Sequence, residues 1–174
     1  MKRACASTLR FLAAGLLAAG AFFPSTGDAA SVVPIAVSNL AGAADVVVLG
    51  TVRAARVERD STGRTFTAVE VEPTEVLKGT TPPGALVVRE LGGLTAAGGS
   101  VVGGSATFAP GECVLLFLRR DGPDLRLVGQ AQGKFSVSRD PASAAWTATR
   151  IEPDTGRVVD QVPLARVKEL LARP

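Results

Sequence analysis

Few side chains in this 174-residue chain are suited to chemistry. There is no His and no Tyr, and there are only two Cys. Without imidazole, the Ser and Cys triads that use it as a base are excluded. Lys78, Lys134 and Lys168 are left as candidate bases, but none follows a Ser by three residues, as an S-x-x-K pair would require. Zinc takes His or Cys ligands as a rule, and Cys113 alone cannot build such a site. Asp121 and Asp124 supply too few carboxylates for a calcium loop and read as turn formers. The expectation is a protein that is not an enzyme and has no catalytic residue, cofactor or metal.

Two further features invite a functional reading. The glycine-rich stretch from Gly92 to Gly104 could cradle a phosphate. It lacks the Lys-Ser/Thr ending and a following helix, so it reads as an inter-strand loop. Cys113 opens an apolar run and reads as a small buried hydrophobe, the alternative being a thiol available for an intermolecular disulfide. Trp146 and the Phe residues read as core or sheet-face residues rather than stacking platforms.

The elements that must position these residues begin after a leader. Lys2, Arg3 and Arg10 precede an apolar run from Phe11 to Phe23, followed by Pro24 and small residues through Ala30. This is the layout of a signal peptide over residues 1–29, with cleavage after Ala29 preferred to cleavage after Ala30. The run is too short for a membrane span, which needs about 20 residues. Cys5 lies before the run, so there is no lipobox, and the expected location is secreted or periplasmic. Loss of Lys2, Arg3, Arg10 and Asp28 with the leader takes the formal charge from +3 to +1, which leaves no electrostatic case for nucleic acid. Residues 30–174 have the size of one domain. With one thiol remaining, that domain has no internal disulfide.

Within it, residues 30–39 form an extended lead-in, and Ser38 is placed to cap a short helical turn through Leu40 to Ala44. A long strand from Asp45 carries Gly50 as a bend or bulge. Arg59 to Gly63 is a turn by composition, and a second long strand runs from Thr65 to Leu77 with Pro73 at an edge or bulge. Strands follow at Ala85–Glu90, at Cys113–Leu118 (CVLLFL, apolar enough to be buried on both faces), at Leu125–Val128 and at Lys134–Val137. A last hairpin pairs Trp146–Ile151 with Arg157–Val162. A helix from Pro163 then presents Leu164, Val167, Leu170 and Leu171 as one stripe. The fold class is mainly β: a small OB-like antiparallel barrel with a short N-terminal helical turn, a C-terminal hairpin and a C-terminal helix.

Asp45-Val46-Val47 and the stretch VEVEPTEVLKG ending on Lys78-Gly79 resemble the front of the netrin-like, tissue-inhibitor-of-metalloproteinase-like OB-fold family. Cys113 to Leu118 and Leu125 to Val137 are similar to its later strands, and Val33-Pro34 stands eleven residues before Asp45 as in the inhibitors' N-terminal segment. The chain also resembles secreted bacterial proteins with the same A-D-V-V, V-L-K-G and G-K-F pattern. The resemblance implies inhibition of a secreted metalloprotease by the mature N-terminus. Ala30 would chelate the catalytic zinc through its α-amine and carbonyl, with Ser31, Val32, Val33 and Pro34 in the substrate cleft. The family's Cys-x-Cys element is replaced by Ala30 and Val32, and Gly42 stands at a further Cys position, so the disulfide tether is missing. Function is thus expected to be that of an exported binding module with a protein or ligand partner. The alternative is metalloprotease inhibition through Ala30 to Pro34.

Overall fold

A computed structural model describes residues 33–95, 98–100 and 102–172. The chain is mainly β. A helix α1 (Val37–Ala43) precedes two 14-residue strands, β1 (Val46–Arg59) and β2 (Thr65–Lys78). Strand β3 (Leu86–Leu91) and a small hairpin of β4 (Gly93–Thr95) and β5 (Gly98–Ser100) follow. Next come β6 (Cys113–Asp121), β7 (Asp124–Leu127), a 3-10 turn (Gln130–Gly133) and β8 (Lys134–Arg139). The chain closes with β9 (Trp146–Ile151), β10 (Val158–Pro163) and helix α2 (Leu164–Leu171).

Eight strands form one sheet in the order β1-β2-β3-β7-β6-β8-β9-β10, and β1 also pairs with β6. The pairings therefore run in a circuit from β1 through β2, β3, β7 and β6 back to β1. The circuit is not a regular barrel. Its β3–β7 link is parallel and rests on one residue pair, Val88 with Leu125, while β8, β9 and β10 leave it as an antiparallel extension.

Side-chain alternation along β6 explains this arrangement. Val114 to Leu118 are all buried, as the run CVLLFL predicts. Val114, Leu116 and Leu118 join Val46, Val48, Val52, Val69, Val71 and Val88 in a core inside the circuit. Leu115 and Phe117 point the other way, into a second core with Val47, Phe135, Val137, Leu40 and Leu164. That outer core is covered by α1 and α2, each of which lays its apolar side on it.

Strand β1 is shared between β2 and β6, and Gly50 is the point where both partners are accommodated. It stands opposite Pro73 on one side and Val114 on the other, with a register shift between Leu49 and Gly50. A Cβ at Gly50 would lie 2.6 Å from the Glu72 carbonyl oxygen and 2.8 Å from a Val71 methyl. Pro73, which has no N–H to give to a ladder, occupies that irregularity. Lys78 closes the same end of the molecule. Its Nζ donates to the carbonyls of Ala41 and Ala44 at 2.7 Å each, serving groups that the end of α1 leaves without helical partners.

Three expectations are corrected. Ser38 lies inside α1, and the cap position is Ala36, which makes no side-chain cap bond. The glycine-rich stretch is not featureless, since β4 and β5 form a hairpin within it. Cys113 is exposed rather than buried, because it stands one residue before the enclosed part of β6. Among the described residues, no helix is long and apolar enough to cross a membrane.

Replacing Gly50 with Ala forces its new methyl against β2, and overpacking of this kind costs about 1–3 kcal/mol. A denaturant titration of Gly50→Ala is expected to show that loss. A midpoint equal to that of the wild type would remove Gly50 as the constraint on β1.

Candidate functional site

Of the five lead-in residues singled out in the sequence, Ala30, Ser31 and Val32 lie outside the described residues. Val33 is 82% exposed, and Pro34 is also exposed. The next residue, Ile35, is held on both sides of its backbone. Its N–H donates to Gln132 Oε1 at 2.6 Å, and its carbonyl accepts from Arg150 Nη1 at 2.8 Å. An extended segment outside any sheet has no ladder to satisfy its peptide groups, so side chains must do so.

The clamp is built by three elements. Gln132 comes from the 3-10 turn, which follows Gly129 at φ +67. Any Cβ at Gly129 would fall 2.8 Å from Ile35 Cδ1, so this turn needs glycine both for its conformation and for room. Arg150 comes from β9, where it shares with Ala148 the face turned to the outer core. Its Nη1 also reaches the Gln132 carbonyl at 3.4 Å, and its Nη2 reaches Asp160 Oδ2 of β10 at 3.3 Å. The guanidinium stacks over the Phe135 ring at 5.2 Å, and Phe135 in turn meets Phe117 edge to face. Only 3% of Arg150 is exposed. Burial lowers the affinity of its guanidinium for the proton, and Asp160 works against that change. The group nevertheless stays charged at any ordinary pH. A charge this deep is tolerated when it is paired and hydrogen-bonded, as Nη1 and Nη2 are here, while Nε is buried without an acceptor.

The other residues singled out in the sequence do not converge. Lys78 serves α1, and Lys168 pairs with Glu75 at 2.5 Å on an exposed face. Lys134 donates to Glu112 and to the Thr107 carbonyl, with its Nζ 4.8 Å from the Phe108 ring centroid. Ser136 Oγ donates to the same Glu112 at 2.5 Å, so the carboxylate ties the loop before β6 to β8. Asp121 and Asp124 pair with arginines at the β6–β7 turn. Cys113 Sγ stands 4.0 Å from Thr51 Oγ1. No cluster of three or more His, Cys, Asp or Glu capable of holding a metal occurs among the described residues.

Arg150, Gln132 and Glu90 were not picked out by the sequence reading. Glu90 is 6% exposed and accepts the Leu127 N–H at 3.0 Å. Burial pushes its carboxyl above the usual 4.5, opposed by the Leu127 hydrogen bond and by the charges of Arg126 and Arg119. Alternation from Leu86 and Val88 places Glu90 on the inward face, and Ala148 does the same for Arg150. A charge at an inward position was therefore the available signal.

No family model, curated protein or solved structure matches this chain.

Two outcomes follow from these buried charges. Arg150→Met removes a charged donor from the Ile35 carbonyl, a loss of about 2–3 kcal/mol. Urea unfolding should register it, and limited proteolysis should cut the lead-in before the domain unfolds. An unchanged midpoint together with a resistant lead-in would contradict the clamp. For Glu90, a raised folded-state pKa stabilises the fold below the unfolded value and loses that contribution as pH rises. Glu90→Gln keeps the acceptor for Leu127, so its stability advantage over the wild type should widen from pH 4 to pH 7. Parallel stability curves would show that Glu90 does not titrate abnormally.

Proposed function

We propose that the protein is an exported, non-enzymatic binding module of OB-like architecture that presents residues 30–34 to a protein partner outside the cytoplasm. The five-strand circuit, weakly closed between β3 and β7, supports the OB-like reading, since such barrels are partly open. The observation that carries the functional reading is the clamp on Ile35 beside an exposed Val33 and Pro34. A segment fixed at its base loses less freedom on binding than a free tail, and preorganisation of this kind improves affinity.

The same observation favours a second reading, inhibition of a secreted zinc metalloprotease. The clamp fixes the chain at Ile35, five residues after Ala30, and so offers a hold on the lead-in other than a disulfide. The α-amine of a mature Ala30 then lies within about 17 Å of Ile35 even when the chain is fully extended. An amine and a carbonyl oxygen on one residue can take the open position of a catalytic zinc.

Sequencing the N-terminus of the exported protein and assaying it against secreted zinc proteases tests both readings. Chelation predicts inhibition by the natural N-terminus and its loss on extension by one residue. Inhibition that survives the extension would rule chelation out. If no protease is inhibited, the general reading predicts an extracytoplasmic partner whose binding is lost when residues 30–34 are deleted. Binding unaffected by that deletion would refute it.

A further inference from the structure

A pocket of about 130 Å³, bounded in part by Gln130 at the start of the turn that also carries Gln132, has arginines from three neighbouring strands in its wall: Arg89 of β3, Arg126 of β7 and Arg119 of β6. Arg119 and Arg126 stand directly opposite each other in the β6–β7 ladder, and β3 meets β7 at Val88 and Leu125, the residues just before Arg89 and Arg126. Like charges directly opposed across a ladder are destabilising, so strand pairing by itself disfavours this arrangement.

The donors of these arginines are not all used. Arg89 and Arg126 have side chains only 27% and 21% exposed, and the Nε of each is buried without a hydrogen-bond acceptor. Asp121 Oδ2 approaches Arg126 Nε at 2.7 Å as an ion pair that lacks the alignment of a hydrogen bond. Asp124 lies 3.4 Å from Arg89 Nη1 and 3.8 Å from Arg126 Nη2. Neither aspartate lines the pocket, and Arg119 makes no ion pair within 4.0 Å among the described residues, although the Glu90 carboxyl in the same wall feels its charge. The wall is completed in part by Gln130, which holds a left-handed backbone at φ +57. Strain of that kind in a residue other than glycine persists only where its surroundings fix it, and it is common at ligand sites.

We propose that this pocket binds one small oxyanion of the sulfate or phosphate type, held by Arg89, Arg119 and Arg126. Guanidinium groups present planar paired donors that match such oxygens, and an anion between them removes the repulsion across the ladder. The carboxylate of Glu90 in the same wall repels the ligand and weakens the site. The pocket suits a single group rather than a run of phosphates.

Isothermal titration of the mature protein with sodium sulfate, against sodium chloride at matched ionic strength, tests the site. One saturable sulfate per chain is expected. Arg119→Ala should weaken it about tenfold, the loss of one charged hydrogen bond. Glu90→Gln should tighten it severalfold, with circular dichroism showing both variants folded. Inorganic phosphate should compete with sulfate. Dextran sulfate that binds more tightly per sulfate than the free ion would place the oxyanion on a larger ligand in the same pocket. Sulfate heats no different from chloride, or an affinity unchanged in Arg119→Ala, would overturn the proposal. Its failure would leave the lead-in reading untouched, since none of Ile35, Gln132 and Arg150 lines the pocket.

Discussion

The burial of β6 on both faces is the constraint on which the rest of the structure depends. Five successive residues, Val114 to Leu118, have no water on either side. A period of two divides them between two cores, so one strand must be covered twice. The circuit of β1, β2, β3 and β7 covers one face. The other face is covered by α1, α2 and the β8–β9 extension, which is why the sheet cannot stop at five strands. Strand β1 takes part in both cores, Val47 facing outward and Val46 and Val48 facing inward. Its bend at Gly50 is what lets it serve β2 and β6 together.

The outer core has a rim, and the lead-in reaches the rim at Ile35. Apolar packing cannot satisfy peptide groups there, so a buried polar group has to reach in. Arg150 fills that need because β9 is registered on β8 through Val137 and Ala148, which turns position 150 toward Phe135 and the lead-in. The guanidinium thus joins four segments: the lead-in, the 3-10 turn, β9 and β10. A disulfide would constrain the unfolded chain as well as the folded one, whereas this clamp acts only in the folded state. The same rule of alternation leaves Glu90 facing inward at the end of β3, where it caps the Leu127 N–H while it remains partly desolvated.

Much of the fold was legible in the chain because its strands carry strong local signals. The alternation of β1 and β2, the turn at Asp60 to Gly63, the unbroken apolar run of β6 and the stripe of α2 each identify an element without tertiary information. Asp60 illustrates how local the turn is, since its carboxylate accepts from Thr62 and from the Arg64 N–H and is held well below the usual range. What depends on register was not legible. Cys113 sits one residue outside the enclosed run, and no local pattern reports that boundary. Alternation puts Arg150 and Glu90 on inner faces, but the groups that meet them there, Ile35 and the Leu127 N–H, are set by pairing and not by local pattern. The β4–β5 hairpin was hidden by composition, since glycine and small residues carry no strand signal. The lead-in was marked only by its resemblance, and the residues that hold it lie about a hundred positions away.

The lead-in is anchored at Ile35, while Val33 and Pro34 just before it are exposed. Amide hydrogen exchange tests this residue by residue. The Ile35 N–H, held by Gln132, should be protected to a degree approaching that of the β8 and β9 ladder amides, while the Val33 N–H exchanges at the rate of an unstructured peptide. Equal, unprotected exchange at both residues would show that the clamp does not hold in solution.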